Sequence, residues 1–250
     1  MPVPKTVLIT GASSGIGAET AVAAAEAGYD VAIGYHDNRA GAEETAERVR
    51  ACGRKAVLIR ADVSDPDDVA DMFDRLDAEF EELGALVNNA GMVAESSRVE
   101  DLEPERLQRI FAVNAIGPFL CARQAAVRMA DSYGGAGGVI VNVSSVAARL
   151  GSAGMYVDYA AAKGAVDVLT KGLGDEMAAE NVRVVGVRPG VIDTGIHARG
   201  GEPNRVARMA NELPMKRAGT AREVADTILY LMSDKASYIT ATSVDVSGAR

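Results

Sequence analysis

The stretch YVDYAAAK at 156–163 places two tyrosines ahead of a lysine, in alanine-rich sequence that should be helical. A phenol can give up a proton, but its ordinary pKa near 10 suits neutral pH poorly unless a nearby cation favours the phenolate. Lys163 follows Tyr159 by four residues, so in a helix the two share a face, one turn apart. Tyr156 precedes Lys163 by seven and lies about 10 Å away along the axis, too far to be tuned directly. Spacing therefore selects Tyr159 as an acid/base paired with Lys163, and leaves Tyr156 to line a pocket or pack. Taken alone, the same spacing also fits plain helix packing.

A second chemical signal is GASSGIG at 11–17, between a strand-like run and a helical pattern. A glycine-rich turn into a helix N-terminus aims backbone N–H groups and the helix dipole at an anion such as a pyrophosphate. The glycines fall at 11, 15 and 17, as G-x-x-x-G-x-G rather than the G-x-G-x-x-G fingerprint. A tight turn with close helix–strand packing would look the same. The position of the loop, after the first strand, favours nucleotide binding.

Alternating elements must position these groups. Strand-like apolar runs occur at 6–10, 30–35, 56–60, 85–89, 138–143, 182–187 and 243–246. Most lack clean alternation, as expected of strands covered on both faces in a parallel sheet. Helical patterns lie between them at 17–28, 40–53, 68–80 and 105–128, and one long helix is expected from about 156 to 180. Gly28 and Gly53 suit helix C-termini, and Asp65 with Pro66 reads as an N-cap followed by proline at the first helical position. The βα alternation predicts an α/β fold, a three-layer doubly wound parallel sheet in a single domain covering 1–250. GGAGG at 134–138 reads as a loop entering a strand. The segment 194–214 breaks the rhythm and reads as an insertion that covers a substrate site.

Composition excludes several classes. The net charge of −9 and pI near 4.9 argue against nucleic acid or an anionic membrane as a partner. No apolar run approaches the roughly 20 residues of a membrane span. The N-terminal MPVPKTVLITGASSGIG lacks a secretory h-region, so no signal peptide is expected. Two histidines, and two cysteines without ligand spacing, give no metal site. Cys52 and Cys121 are expected as free thiols in a reducing cytoplasm.

TGASSGIG (10–17), Asp62-Val63, NNAG (88–91), Asn114, the serine pair 144–145, YAAAK (159–163) and PGVIDT (189–194) occur in that order. The set resembles the motifs of the short-chain dehydrogenase/reductase family, in its single-domain branch, over essentially the whole chain. That resemblance implies a Rossmann-type sheet, an NAD(P)-dependent oxidoreductase and a homotetramer. It implies that Gly11, Ser13, Ser14, Ile16 and Gly17 hold the cofactor's pyrophosphate and ribose, and that Asp62 and Val63 hold its adenine. Asn89, Ala90 and Gly91 would flank the adenosine ribose, and Pro189, Gly190, Ile192 and Thr194 the nicotinamide. It implies a catalytic tetrad of Asn114, Ser145, Tyr159 and Lys163. Tyr159 would exchange a proton with the substrate oxygen, Ser145 would position that oxygen, and Lys163 would also hold the nicotinamide ribose. Asn114, a poor helix former in mid-helix, would mark a kink and hold a water relaying protons to Lys163.

Two points depart from the family pattern. Thirteen residues separate Ser145 from Tyr159 where twelve are common, so the loop GSAGMYVD is expected to hold one extra residue. Ser144 is the alternative, since neighbouring residues at a strand end point oppositely. At the end of the second strand the slot for an NAD-selecting acid is Tyr35, with Asp37 two places later. His36, Asn38 and Arg39 together with Ser13 would hold a 2′-phosphate, so NADP is the expected cofactor, with NAD possible.

The substrate is expected to be a small carbonyl or alcohol, in a pocket offering Ala147, Leu150, Met155, Tyr156, Ile196, His197 and Met209. The neighbourhood resembles ketoacyl-carrier-protein reductases and glucose-dehydrogenase-like enzymes. Arg199 and Arg205 would meet an anionic handle or stand solvated. A catalytically silent dinucleotide sensor is the rival reading, which the complete tetrad argues against. A Rossmann methyltransferase is a further rival, disfavoured by the glycine spacing together with YAAAK.

Overall fold

The structure is a computed structural model and describes residues 5–195, 200–202 and 204–250. Seven parallel strands form the central sheet: β1 (Thr6–Ile9), β2 (Asp30–Tyr35), β3 (Ala56–Arg60), β4 (Ala85–Asn88), β5 (Gly138–Val143), β6 (Val182–Pro189) and β9 (Thr242–Val246). Their spatial order is β3-β2-β1-β4-β5-β6-β9. Two-residue strands β7 (Ile192–Asp193) and β8 (Gly219–Thr220) pair separately.

The pleat sorts side chains into two layers. Leu8 of β1 is in register with Ala32 and Leu86, Leu86 with Ile140, and Ile140 with Val184. This row packs on Val69, Met72, Phe73 and Leu76 of α3 (Pro66–Glu79) and on Cys121, Ala122, Ala125 and Met129 of α5 (Gly117–Met129). The alternate residues Val7, Val31, Ala85, Val139 and Val185 face α1 (Gly15–Glu26), α2 (Arg39–Ala51) and α8 (Ala221–Met232). Both faces are dry over the central strands β2, β1, β4, β5 and β6, which is why these read as unbroken apolar runs, whereas the edge strand β9 stays exposed. The expected helix–sheet–helix sandwich is therefore what forms.

Local signals act as their chemistry requires. Asp65 accepts from the N–H groups of Asp67 and Asp68 at the start of α3, with Pro66 in its first turn. Gly28 and Gly53 take φ of +92° and +73° just past α1 and α2, the left-handed conformation that ends a helix cheaply only at glycine. The long stretch expected as one helix at 105–128 divides into α4 (Pro104–Phe111), a π-helical turn at Ala112–Ile116, and α5. By length and composition Pro104–Met129 would suffice to cross a membrane, the one such helix among the described residues, yet half of it is buried in the protein. The helix carrying YAAAK is α7 (Val157–Met177), with a short 3₁₀ turn after it.

Candidate active site

The strand order reverses between β1 and β4, and a crevice opens there beyond the C-terminal ends of the strands. It is a cavity of about 540 Å³, walled by the loops after β1 through β6.

The loop after β1 forms one wall. Gly11 and Gly15 adopt φ of +65° and +58°, strained for any other residue. Gly17 is a packing requirement: a Cβ there would lie 2.5 Å from both the Asn89 Nδ2 and the Gly11 carbonyl oxygen. Asn89 braces the loop by donating Nδ2 to the Thr10 and Gly11 carbonyls at 2.9 and 3.1 Å. Thr10 Oγ1 in turn accepts from the backbone N–H of Asn89 and Ala90. The loop feeds the N-terminus of α1, whose first turn carries no acidic residue. A bare backbone approached through glycines, ahead of a helix N-terminus, fits the pyrophosphate of a dinucleotide. Thr194 packs at 3.4 Å from where a Gly15 Cβ would be, so the segment after β6 closes over the same loop.

Toward the ends of β2 and β3 the cavity is lined by Tyr35, His36, Asp37, Asp62 and Val63. The Asp62 carboxylate accepts from Ser64 N and Oγ and from Arg109 NH1, at 2.9, 2.6 and 3.2 Å. Burial raises its pKa, but these bonds outweigh burial and hold it below its ordinary value. His36 Nε2 stands 3.7 Å from the same carboxylate. Asn38 and Arg39 are not in the cavity wall. Asn38 Oδ1 caps α2 through Gly41 N and its Nδ2 reaches the Ser13 carbonyl, while Arg39 faces Glu43 at 3.7 Å. Arg109 lines the cavity and was missed by sequence reading, because only the fold brings α4 over the end of β3.

The opposite end holds the chemical groups. Ser145 Oγ accepts from Ala147 N at 3.1 Å and hydrogen-bonds the Tyr159 phenol. Ser144 is buried with its hydroxyl on the Lys163 carbonyl, so of the two serines Ser145 faces the tyrosine. The extra residue between Ser145 and Tyr159 is taken up by a one-turn helix, α6 (Ala147–Leu150), and by positive φ at Gly151, Ser152 and Gly154.

Lys163 is buried and donates Nζ to the Val143 carbonyl at 2.8 Å, with its ammonium 5.8 Å from the Tyr159 ring centre. Burial pulls its pKa down to about 8, partly opposed by Asp167 one turn further along α7, itself paired with Arg188 at 2.8 Å. Burial pushes Tyr159 up to about 12 despite the Ser145 bond. In the protein alone desolvation outweighs the Ser145 contribution, so the phenol stands above its ordinary pKa.

Asn114 is fully buried in the π-helical turn and clamps Met92, accepting from its N–H at 3.0 Å and donating to its carbonyl at 2.9 Å. It does not line the cavity. A Cβ on Gly91 would fall 3.0 Å from Asn114 Oδ1 and 3.6 Å from Lys163 Nζ, so the glycine keeps a space open between them. Pro189, Gly190, Ile192 and Thr194 line the cavity above Ser145, and Ala147, Leu150 and Tyr156 join them. Ile196, His197 and Arg199 lie outside the described residues, and Met155 belongs to a separate shallow pocket with Glu202 and Arg208. Among the described residues no cluster of metal-binding side chains occurs.

Residues 11–248 match a family described as enoyl-(acyl carrier protein) reductase. The chain is 51% identical to the uncharacterized oxidoreductase YgfF of Escherichia coli K12, over 97% of this chain and 98% of that one. It is 38% identical to the cis-4-hydroxycyclohexanecarboxylate dehydrogenase of Sinomonas cyclohexanicum, over 98% and 95% of the two chains. The crystal structure of 3-ketoacyl-(acyl-carrier-protein) reductase from Brucella melitensis, complexed with NADH, superposes with a TM-score of 0.90 at 32% identity, covering 98% of each chain. Agreement over the full length, in sequence and backbone alike, places the chain in the short-chain dehydrogenase/reductase family of NAD(P)-dependent oxidoreductases.

Proposed function

We propose that the protein interconverts a small carbonyl compound and its alcohol, with Tyr159 as general acid/base and NADP as the preferred cofactor. The observation that carries this reading is the meeting of Ser145, Tyr159 and Lys163 on one wall of the cavity whose other wall is the glycine loop. The bound nicotinamide would supply or accept hydride at the carbonyl carbon. Ser145 would donate to the substrate oxygen and orient it. Tyr159 would deliver its phenolic proton to that oxygen as negative charge develops there. Lys163 would stabilise the phenolate left behind, through its positive charge and its fixed place on the Val143 carbonyl. The space beside Gly91 would admit a water between Asn114 and Lys163 for the return of the proton.

The adenosine end supports NADP. Tyr35 stands where an acid would select NAD, and the first turn of α2 has no acidic residue. His36 lines the cavity, and Arg39 is held only by an exposed ion pair, which is cheap to redirect. Asp37 in the cavity wall is the one feature that favours NAD. Exposed apolar side chains on α4, α5 and α7, among them Phe111, Phe119 and Val168, support assembly as a homotetramer. The free thiols of Cys52 and Cys121 support a cytoplasmic place.

The test joins binding to turnover. Calorimetric titration should show NADPH binding at least tenfold more tightly than NADH. Tyr159→Phe should keep that binding and lose about 10²- to 10⁴-fold in ketone reduction. Binding of neither cofactor, or full activity of the variant, refutes the reading.

A further inference from the structure

Between one edge of the cavity, at Tyr156 and Arg205, and the shallow pocket beside it lies a charge cluster that the proton-transfer chemistry does not use. Glu202 Oε1 accepts from Ser96 Oγ at 2.6 Å and from Tyr156 OH at 2.7 Å. Arg205 NH1 reaches both Glu202 oxygens at 3.3 and 3.4 Å, and Arg208 also bonds the carboxylate. Two guanidinium groups thus meet one carboxylate. Arg208 is mostly in solvent, at 62% exposure, whereas the Arg205 side chain is only 10% exposed and lines the cavity.

The Arg205 guanidinium lies over the Tyr156 ring, 5.2 Å from its centre. Among the described residues its Nε and NH2 make no hydrogen bond to protein. A guanidinium with one nitrogen engaged by the described residues, held over an aromatic ring at the edge of a cavity, is preorganised for a second, bidentate carboxylate. The negative charges nearby are Glu202 itself and Glu95, whose side chain packs beside Gly201. Arg250, bonded through NH1 only to the Met209 sulfur, adds a second cation to the same cavity wall.

We infer that Arg205 is a specificity-determining residue that binds a carboxylate on the substrate, so that the protein acts on oxo acids and hydroxy acids. This rests on the carbonyl/alcohol reading above. Tyr156 is the N-cap of α7 and opens its first turn, its carbonyl accepting from Ala160 N at 2.9 Å, so its Cβ lies about 5–6 Å from that of Tyr159. Adding the 5.2 Å Arg205–Tyr156 separation puts the guanidinium at most about 10–11 Å from the Tyr159 side chain. A ring or short chain between the two functional groups spans that gap. An α-oxo acid, with the groups adjacent, does not.

The experiment compares 4-oxocyclohexanecarboxylate with its methyl ester, in turnover and in calorimetric binding to the cofactor-loaded protein. The native protein should prefer the acid at least tenfold in kcat/KM. Arg205→Gln should bring the acid-to-ester ratio near one, chiefly through the KM of the acid. Arg205→Lys should restore only part of the preference, since an ammonium cannot make two parallel bonds. No preference for the acid in the native protein, in turnover or binding, overturns the inference, as does a ratio unchanged in Arg205→Gln. Acid binding that depends on Arg205 without reduction of either ketone would keep the anion site and refute the oxidoreductase reading instead.

Discussion

Removing the charge at Lys163 should change how stability depends on pH, by an amount the structure fixes. Lys163 is enclosed by protein, with one hydrogen bond, to the Val143 carbonyl. Burial lowers its pKa from the ordinary 10.5 to about 8. Between those values the unfolded chain holds a proton that the folded chain has released. Unfolding therefore becomes harder as pH rises through this window, and the charged form is a burden on the fold below pH 8. At about 1.4 kcal/mol per pH unit, the full window is worth about 3 kcal/mol, of which about 2 kcal/mol is gained between pH 7 and pH 9.5. Tyr159 acts with the opposite sign, but only above pH 10, where unfolded tyrosine ionises and the folded phenol, at about 12, does not. Lys163→Met keeps the length of the side chain and removes its charge. Urea unfolding of both proteins at pH 7 and pH 9.5 isolates the term, because every other titrating group cancels in the difference. The native protein should gain about 2 kcal/mol on the variant over that interval. A difference that stays flat to within about 0.5 kcal/mol would mean that the lysine is solvated, and the argument for a buried, tuned ammonium would fail.

Gly17→Ala would place a methyl group 2.5 Å from the Asn89 Nδ2 and Gly11 oxygen atoms; it should cost about 1–3 kcal/mol and weaken cofactor binding more than tenfold by titration. Asp158 is fully buried beside Tyr159 and paired with Arg106 at 2.8 Å; Asp158→Ala should cost about 3 kcal/mol and lower Tm by about 6–12 °C in calorimetry, because it leaves a half-enclosed guanidinium unpaired. The kcat/KM for ketone reduction should hold level from pH 6 to 7.5 and fall above about pH 8 as Lys163 loses its proton. Sedimentation should give four times the chain mass; a monomer would remove the assembly reading.

Much of this architecture is legible in the sequence because it rests on local physics. Continuous apolar runs mark strands covered on both faces, and Asp65-Pro66, Gly28 and Gly53 mark helix ends because a cap or a left-handed residue is needed there whatever the rest of the chain does. The break in the helix at 105–128 had one local sign, Asn114, whose side chain turns back to the Ile110 and Met92 carbonyls. The choice between Ser144 and Ser145 was not legible by counting, since a loop with three positive-φ residues can absorb one more without moving Tyr159. Nor were Arg109 and Glu202 legible as site residues, and Arg205 could be read equally as a partner for an anionic handle or as a solvated side chain. Each arrives from a different element, and nothing in their own neighbourhoods encodes the meeting. The upward pull on the Tyr159 pKa in the free protein was not legible for a related reason. Sequence shows that a lysine is near, but not how far the fold withdraws each group from water: Lys163 is buried and Tyr159 half-buried at the cavity wall.

The desolvation of these two groups has a consequence for direction. A phenol near pKa 12 stays protonated across the physiological range, and a lysine near 8 remains mostly charged at neutral pH. The free site thus holds the proton that reduction of a carbonyl must deliver, next to the cation that receives the resulting phenolate. Oxidation of an alcohol would instead begin from a phenolate, which the protein alone disfavours. Ser145 does little to redress this: its bond to the phenol favours the ionised form, and burial still prevails. On the proposed chemistry the residues of this chain are therefore set for reduction, and the alcohol-oxidising direction needs either high pH or further positive charge brought against Tyr159 when the site is filled.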